Sequence, residues 1–233
     1  MKQLRVLFDQ MPKQEIREAL CREQHGLCAY CMRRIVPEKI SENDQETRIE
    51  HYKALSKDKE AALDYQNFLG VCHGGIKDER EADERLITCC DACRGDDELT
   101  IDPRDTRQME AIAYKRSGYM FVKANMGLDK ELVEEMQKDI NYKLQLNGEL
   151  NDDGSLGYDT TSRLIASRKR IYDSVSNQFE RWDKKNLLTS QYLKEQLDKL
   201  YEQLKDGNIA EPFLGTRIYF LNKKYKMLLK NGK

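Results

Sequence analysis

Histidine is scarce in this 233-residue chain, and where it is missing is informative. All three histidines fall between His25 and His73, all seven cysteines fall between Cys21 and Cys93, and neither type occurs again. Chance scatter does not favour that distribution, so metal or thiol chemistry belongs to the N-terminal part. A long apolar run is also missing, which removes the usual signature of a membrane-spanning helix. No charged-then-apolar leader is present either, and a cytoplasmic location is expected. Thiols in a reducing compartment stay reduced, so the cysteines are not read as a disulfide framework. Internal repeats and low-complexity tracts are absent, which argues against a solenoid.

Net charge is nearly absent, since 40 lysines and arginines meet 41 acids. The balance hides an asymmetry. From Asp159 onward 16 basic residues meet 9 acidic ones, leaving 24 against 32 for the rest. A basic C-terminal third suits a nucleic-acid backbone, an acidic partner or a plain solvated helix face. The stretch "RLIASRKR" (163–170) concentrates that charge.

What is present reads as α+β. Residues 11–26 have the marks of a helix, with Pro12 in the first turn, an apolar stripe of Ile16, Ala19 and Leu20, and Gly26 as the stop. "LCAYCMRRIV" (27–36) changes period, a cysteine pair followed by an apolar strand ended by Pro37, 41–47 is polar turn material, and "RIEHYKAL" (48–55) is the next short strand candidate. Residues 64–75 are loop-rich, 76–85 form a charged insertion or short helix, and 86–103 close the segment at Pro103. Beyond it, 118–125 reads as a strand and 128–146 as a helix with Leu132, Met136, Ile140 and Leu144 on one face. A turn-rich connector follows, then one or two amphipathic helices over 162–204 and a last helix over 212–229. The expected organisation is a small mixed module over 1–103 and a mainly helical, partner-docking scaffold over 104–233.

Cys28-Ala-Tyr-Cys31 and Cys90-Asp-Ala-Cys93 are two Cys-x2-Cys knuckles. Each such turn presents two thiolates to one tetrahedral ion, and two separated pairs are a strong zinc signal. A redox role is the weaker reading, because no βαβ context surrounds either pair. Cysteine is in surplus, however. Cys72, Cys89, Cys90 and Cys93 compete for two places opposite Cys28 and Cys31: simple pairing takes Cys90 and Cys93, the alternative takes Cys72 with Cys90. Cys21 and Cys89 are read as packing residues, and His25 as a helix-end histidine facing the dipole. A site of four thiolates is closed, so its zinc would staple the fold rather than perform chemistry.

The order Cys-x2-Cys, Glu50-His51, then "DYQNFLGVC" and a further cysteine resembles the cysteine-containing HNH endonucleases. With "GLCAYCMRRI", "IEHYKALS", "CDACRGDDELTIDP", "INYKLQLN" and "EPFLGTRIYFLNKK", the resemblance extends from about Leu20 to about Lys224 and points to the PtuB-type branch, the nuclease effectors of Septu and retron-linked antiphage systems. It implies a zinc-stapled ββα-metal fold in an α+β chain. Implied zinc ligands are Cys28, Cys31, Cys72 and Cys90, with Cys93 as the alternative to Cys72. The implied chemistry is phosphodiester hydrolysis, with His51 as general base, Asn67 orienting it, and Glu50 as a ligand of Mg2+ or Mn2+. Where the family has a histidine or asparagine beside the last zinc cysteine, this chain has Asp91. Asp91, Asp96 and His73 therefore stay open as further ligands of the catalytic ion. Lys53 and Arg94 are expected phosphate contacts. The implied partners are a PtuA-type ABC ATPase and, in retron-linked systems, a reverse transcriptase with its multicopy single-stranded DNA. Neighbours on a strand face opposite sides, so Glu50 and His51 share one site only if the strand ends or twists there. A zinc-stapled adaptor that binds nucleic acid or the ATPase without cutting is the alternative, and DNA and RNA remain equally open as substrate.

Overall fold

The computed structural model describes residues 2–38, 41, 46–75, 85–124, 126–205 and 207–231. Most of the charged stretch 76–85 and of the turn 41–47 lies outside them. Among the described residues the chain is α+β, with eight α-helices and two small antiparallel sheets. No helix among them is long and apolar enough to cross a membrane.

The N-terminal part opens with α1 (Lys2–Gln10) and α2 (Lys13–Glu23). Helix α1 was not expected, although Leu4 and Phe8 recur at helical spacing, with Met11 just past its end, and are its less exposed positions. Helix α2 stops as expected: His25 and Gly26 take positive φ (56° and 70°), and the Gly26 N–H returns to the Cys21 carbonyl at 2.7 Å. The apolar strand expected after the cysteine pair of 27–36 does not form. Two isolated bridges, Leu27 to Arg34 and Val36 to Glu46, replace it, because the Cys28–Cys31 knuckle turns the chain within that span.

Strands β1 (Arg48–His51) and β2 (Phe68–Val71) form the first hairpin, with Glu50 opposite Leu69 and His51 opposite Phe68. Alternation then sorts the side chains. Ile49 and His51 face α1 and α2, where Phe8, Ile16, Leu20 and Phe68 pack. Arg48 and Glu50 face the short helix α3 (Asp91–Arg94). Beyond it come α4 (Thr106–Ala111), β3 (Ile112–Tyr114), β4 (Met120–Val122) and α5 (Lys130–Lys138). A wider π-turn at Asp139–Lys143 continues α5. Last are α6 (Leu164–Lys184), α7 (Ser190–Tyr201) and α8 (Leu214–Lys230), so the amphipathic span 162–204 is two helices.

One hydrophobic core runs through both halves. It joins Cys28, Cys31, Cys72 and Cys90 to Met136, Ile140, Leu144, Leu164, Val175 and Leu221. Each such buried aliphatic side chain contributes about 1.5–3 kcal/mol of transfer free energy. Backbone bonds cross in the same place: the Cys90 N–H meets the Leu144 carbonyl at 2.8 Å, and the buried Asp139 carboxylate accepts from the Ile101 N–H at 2.9 Å. The helical region is thus the wall against which the cysteine cluster is packed. Within the basic stretch 163–170, Arg168 is interior, donating to the carbonyls of Gly118 (2.7 Å) and Leu146 (2.5 Å). It does not belong to a surface charge track.

Candidate functional site

Four thiols meet at one point. The Sγ atoms of Cys28, Cys31, Cys72 and Cys90 all lie within 4.8 Å of one another, and all four residues are buried. The separations are 3.7 Å for Cys31–Cys72, 3.8 Å for Cys72–Cys90 and 4.0 Å for Cys28–Cys90. A tetrahedral ion with Zn–S bonds of about 2.3 Å requires sulfurs about 3.8 Å apart. The residues present therefore fit a metal ion such as zinc. Hydrogen bonds from the Cys28, Cys31, Cys89 and Cys90 thiols hold the Cys72 thiol well below its ordinary pKa, while burial pushes Cys31 and Cys90 well above theirs. An ion that draws off the remaining protons would resolve that conflict.

Local backbone geometry chooses these four. Cys72 and Cys90 come together because Gly74, at φ +65°, lies against the Cys89 backbone: a Cβ there would sit 2.2 Å from the Cys89 carbonyl oxygen. The Cys89 N–H also meets the Gly74 carbonyl at 2.9 Å. Cys93 lies outside the cluster. One turn of α3 carries its sulfur away, to within 3.4 Å of Gln145 Oε1 and 3.6 Å of the Tyr142 carbonyl. Cys89 is a fifth buried thiol beside Cys72, and Cys21 bonds Thr47 Oγ1 at 2.8 Å within the core. His25 Nδ1 lies 3.3 Å from the Asn208 carbonyl, past the end of α2.

On one face of β1 the Asp91 carboxyl is the acidic neighbour of Glu50. Burial, then that neighbouring carboxyl, pushes Glu50 up to about 8 against the pull of Arg94. Arg94 is fully buried and spends its donors internally. It bonds Glu50 Oε1 and Tyr30, the carbonyls of His51 (3.1 Å) and Tyr52 (2.5 Å), and through Nε the carbonyl of Asp97 (2.8 Å). The expectation that Arg94 contacts phosphate is therefore corrected, because its guanidinium has no exposed donor to offer. Arg94 is instead the buried partner of Glu50 and a clamp on the end of β1. Arg94→Ala is expected to destabilise the fold by about 3–5 kcal/mol, since it strands a buried carboxyl. A drop in the urea midpoint, with unchanged slope, would report it.

On the other face, His51 is half-buried between Phe8 (ring centroids 4.6 Å apart) and Phe68 (5.1 Å). Its Nε2 lies 2.9 Å from the Ala62 carbonyl. A carbonyl only accepts, so Nε2 carries the proton and Nδ1 keeps its lone pair. Burial lowers the His51 pKa, the Ala62 bond opposes that, and Lys13 and Arg94 add to the lowering, which leaves the ring neutral at pH 7. Asn67 fixes the loop that holds this carbonyl. Its side chain accepts from the Lys53 N–H (2.7 Å) and donates to the carbonyls of Lys53 (2.9 Å) and Ala61 (3.1 Å).

The remaining expected residues are peripheral. The Lys53 ammonium is exposed and pairs with Asp58 at 3.6 Å, and Asp96 is exposed in the turn after α3. His73 is buried on the wall of a cleft beside β1. Sequence reasoning missed Tyr30, Arg48 and Phe8. Arg48 pairs with Asp91 at 3.2 Å, and a cation at the alternate position to Glu50 on the same strand was the available signal. Among the described residues, no group of three or more carboxylates and histidines forms a second metal cluster beside the four cysteines. In comparisons with known proteins, the chain matches no family model and no curated protein.

Proposed function

We propose that this chain is a metal-dependent HNH-type nuclease that hydrolyses phosphodiester bonds in nucleic acid, on a hairpin stapled by zinc at Cys28, Cys31, Cys72 and Cys90. The observation that carries this reading is His51 itself. It is a neutral imidazole, fixed through Nε2 by the Ala62 carbonyl, with Nδ1 unprotonated, one residue along the strand from the buried Glu50 carboxyl on the opposite face. In the proposed reaction Nδ1 takes a proton from the attacking water as the new P–O bond forms, and the departing oxygen leaves with the electrons of the broken P–O bond. Asn67 keeps the imidazole oriented by holding residues 53 and 61 together. Glu50 and Asp91 would hold a divalent ion, Mg2+ or Mn2+, which supplies neutralisation of the charge that builds on the phosphate and leaving oxygens.

The resemblance adds context to the same proposal. The nuclease would act in the cytoplasm as the effector of an antiphage complex with a PtuA-type ABC ATPase. In retron-linked versions a reverse transcriptase and its multicopy single-stranded DNA would join it. The helical region beyond Pro103 is the part available for docking.

A second reading, a zinc-stapled adaptor that binds without cutting, is favoured by one observation. Arg94 and Arg48 already contact Glu50 and Asp91, so an ion must compete with two guanidinium groups. A cleavage assay separates the readings. The purified chain, alone and with its ATPase partner, is incubated with labelled DNA and RNA in Mg2+, Mn2+ or chelator. The nuclease reading expects cleavage of at least one substrate that chelator abolishes. Intact DNA and RNA under every condition would leave the adaptor.

A further inference from the structure

Beside β1 lies an open cleft of about 540 Å³, lined by Phe8, Lys13, Arg17, Glu46, Thr47, Arg48, Ile49 and His73. That volume lies in the range of small-ligand sites, about 300–1,000 Å³. Three of its lining side chains are cationic and one is acidic. We infer that this cleft grips a phosphate of the nucleic-acid backbone through Lys13 and Arg17, with Arg48 at its inner edge. The inference rests on the nuclease reading and adds to it a substrate-holding surface on α2.

Three observations support it. Arg17 gives Nη1 to Glu46 at 2.7 Å, but its Nε is buried and has no acceptor among the described residues. A buried N–H without a partner is costly, and a phosphate oxygen is the acceptor that a guanidinium fork best fits. Lys13 lies over the Phe8 ring, and among the described residues no carboxylate stands within ion-pair distance of it. Burial lowers its pKa to about 8, the attraction of Asp9 opposes this and Arg17 adds to it. The third observation is position. Arg48 pairs with Asp91, the acidic neighbour of Glu50, while Phe8 packs at a tilt against His51. Strand alternation sends Glu50 and His51 to opposite faces, yet the cleft borders a direct neighbour of each. A phosphate held there would be one residue removed from each half of the proposed chemistry.

The test is binding rather than turnover, in a His51→Ala background so that the probe stays intact. Fluorescently labelled DNA and RNA oligonucleotides of one sequence are titrated at several salt concentrations. Lys13→Gln is expected to weaken both probes about 5- to 10-fold near 0.1 M salt, and to lower the slope of log K against log salt by about 1. Arg17→Gln should act in the same direction, and Lys13→Arg should restore binding. Lys130→Gln, on the far exposed start of α5, should change neither quantity. If the background protein binds but Lys13→Gln leaves affinity and slope unchanged, the cleft does not hold phosphate while the nuclease reading stands. If the background protein binds neither probe, alone or with its ATPase partner, the nuclease reading and the cleft fall together.

Discussion

His51→Ala is expected to lower the cleavage rate about 10²- to 10⁴-fold, the usual contribution of a positioned general base, without loss of bound zinc or of the folded state. The imidazole is half-buried and packs on two aromatic rings, so truncation leaves a small void beside Phe8 and Phe68 but breaks no ion pair. An effect on rate with a near-native melting curve is therefore the signature of catalysis. Unchanged cleavage would remove His51 from the mechanism. The pH profile carries a second check. A base must be neutral to act, and burial depresses the His51 pKa below its ordinary 6.5. Activity at saturating divalent ion should thus rise through an apparent pKa below 6.5 and be level at neutral pH. The same shift means that stability associated with His51 is present above pH 6.5 and is lost as pH falls through the lower folded value. Without enough divalent ion the rise should move upward, since Glu50 keeps its proton to about 8 and the ion must displace it.

The parts of this arrangement that were legible in the sequence are those whose geometry is local. A Cys-x2-Cys turn brings its own sulfurs together, so Cys28 and Cys31 follow from spacing alone. Alternation along a strand is equally local, and the separation of Glu50 from His51 onto opposite faces of β1 is what that rule requires. What spacing could not resolve was the competition between Cys72 and Cys93. The local rule favours Cys93, three residues from Cys90. The observed neighbour of Cys90 is Cys72, brought close by a non-local approach of Gly74 to Cys89. Arg94 shows the same limit. A cation after a zinc knuckle looks solvated in the sequence, and only the fold reveals five internal acceptors around it. Helix α1 was unread because its apolar stripe is short and half-exposed. Its relevance appears only when Phe8 meets His51, a contact spanning more than forty residues.

Metal content divides the cysteines in a way that activity cannot. Cys72→Ser is expected to purify with its zinc largely lost and with the cooperative unfolding transition weakened or absent, whereas Cys93→Ser should keep the metal of the parent, about one ion per chain. The asymmetry follows from position. Cys72 is wholly buried and closes the tetrahedron with sulfurs at 3.7 and 3.8 Å, while the Cys93 thiol faces Gln145 at the edge of α3. The expected size follows from comparing two quantities. Structural zinc supplies apparent binding free energy of about 10–16 kcal/mol in small zinc domains. A domain's whole stability is about 5–15 kcal/mol, so loss of the ion is large on that scale. The cluster also lies in the core shared with Ile140, Leu144 and Leu164, so its release should loosen the helical half as well as the hairpin. Hydrogen exchange on the metal-depleted protein would show this as lost protection in α5 and α6 alongside β1 and β2. Protection that survives in α5 and α6 would mean that the helical half stands without the metal. Equal zinc content in the two cysteine variants would mean that the four-thiol cluster is not the ion's site.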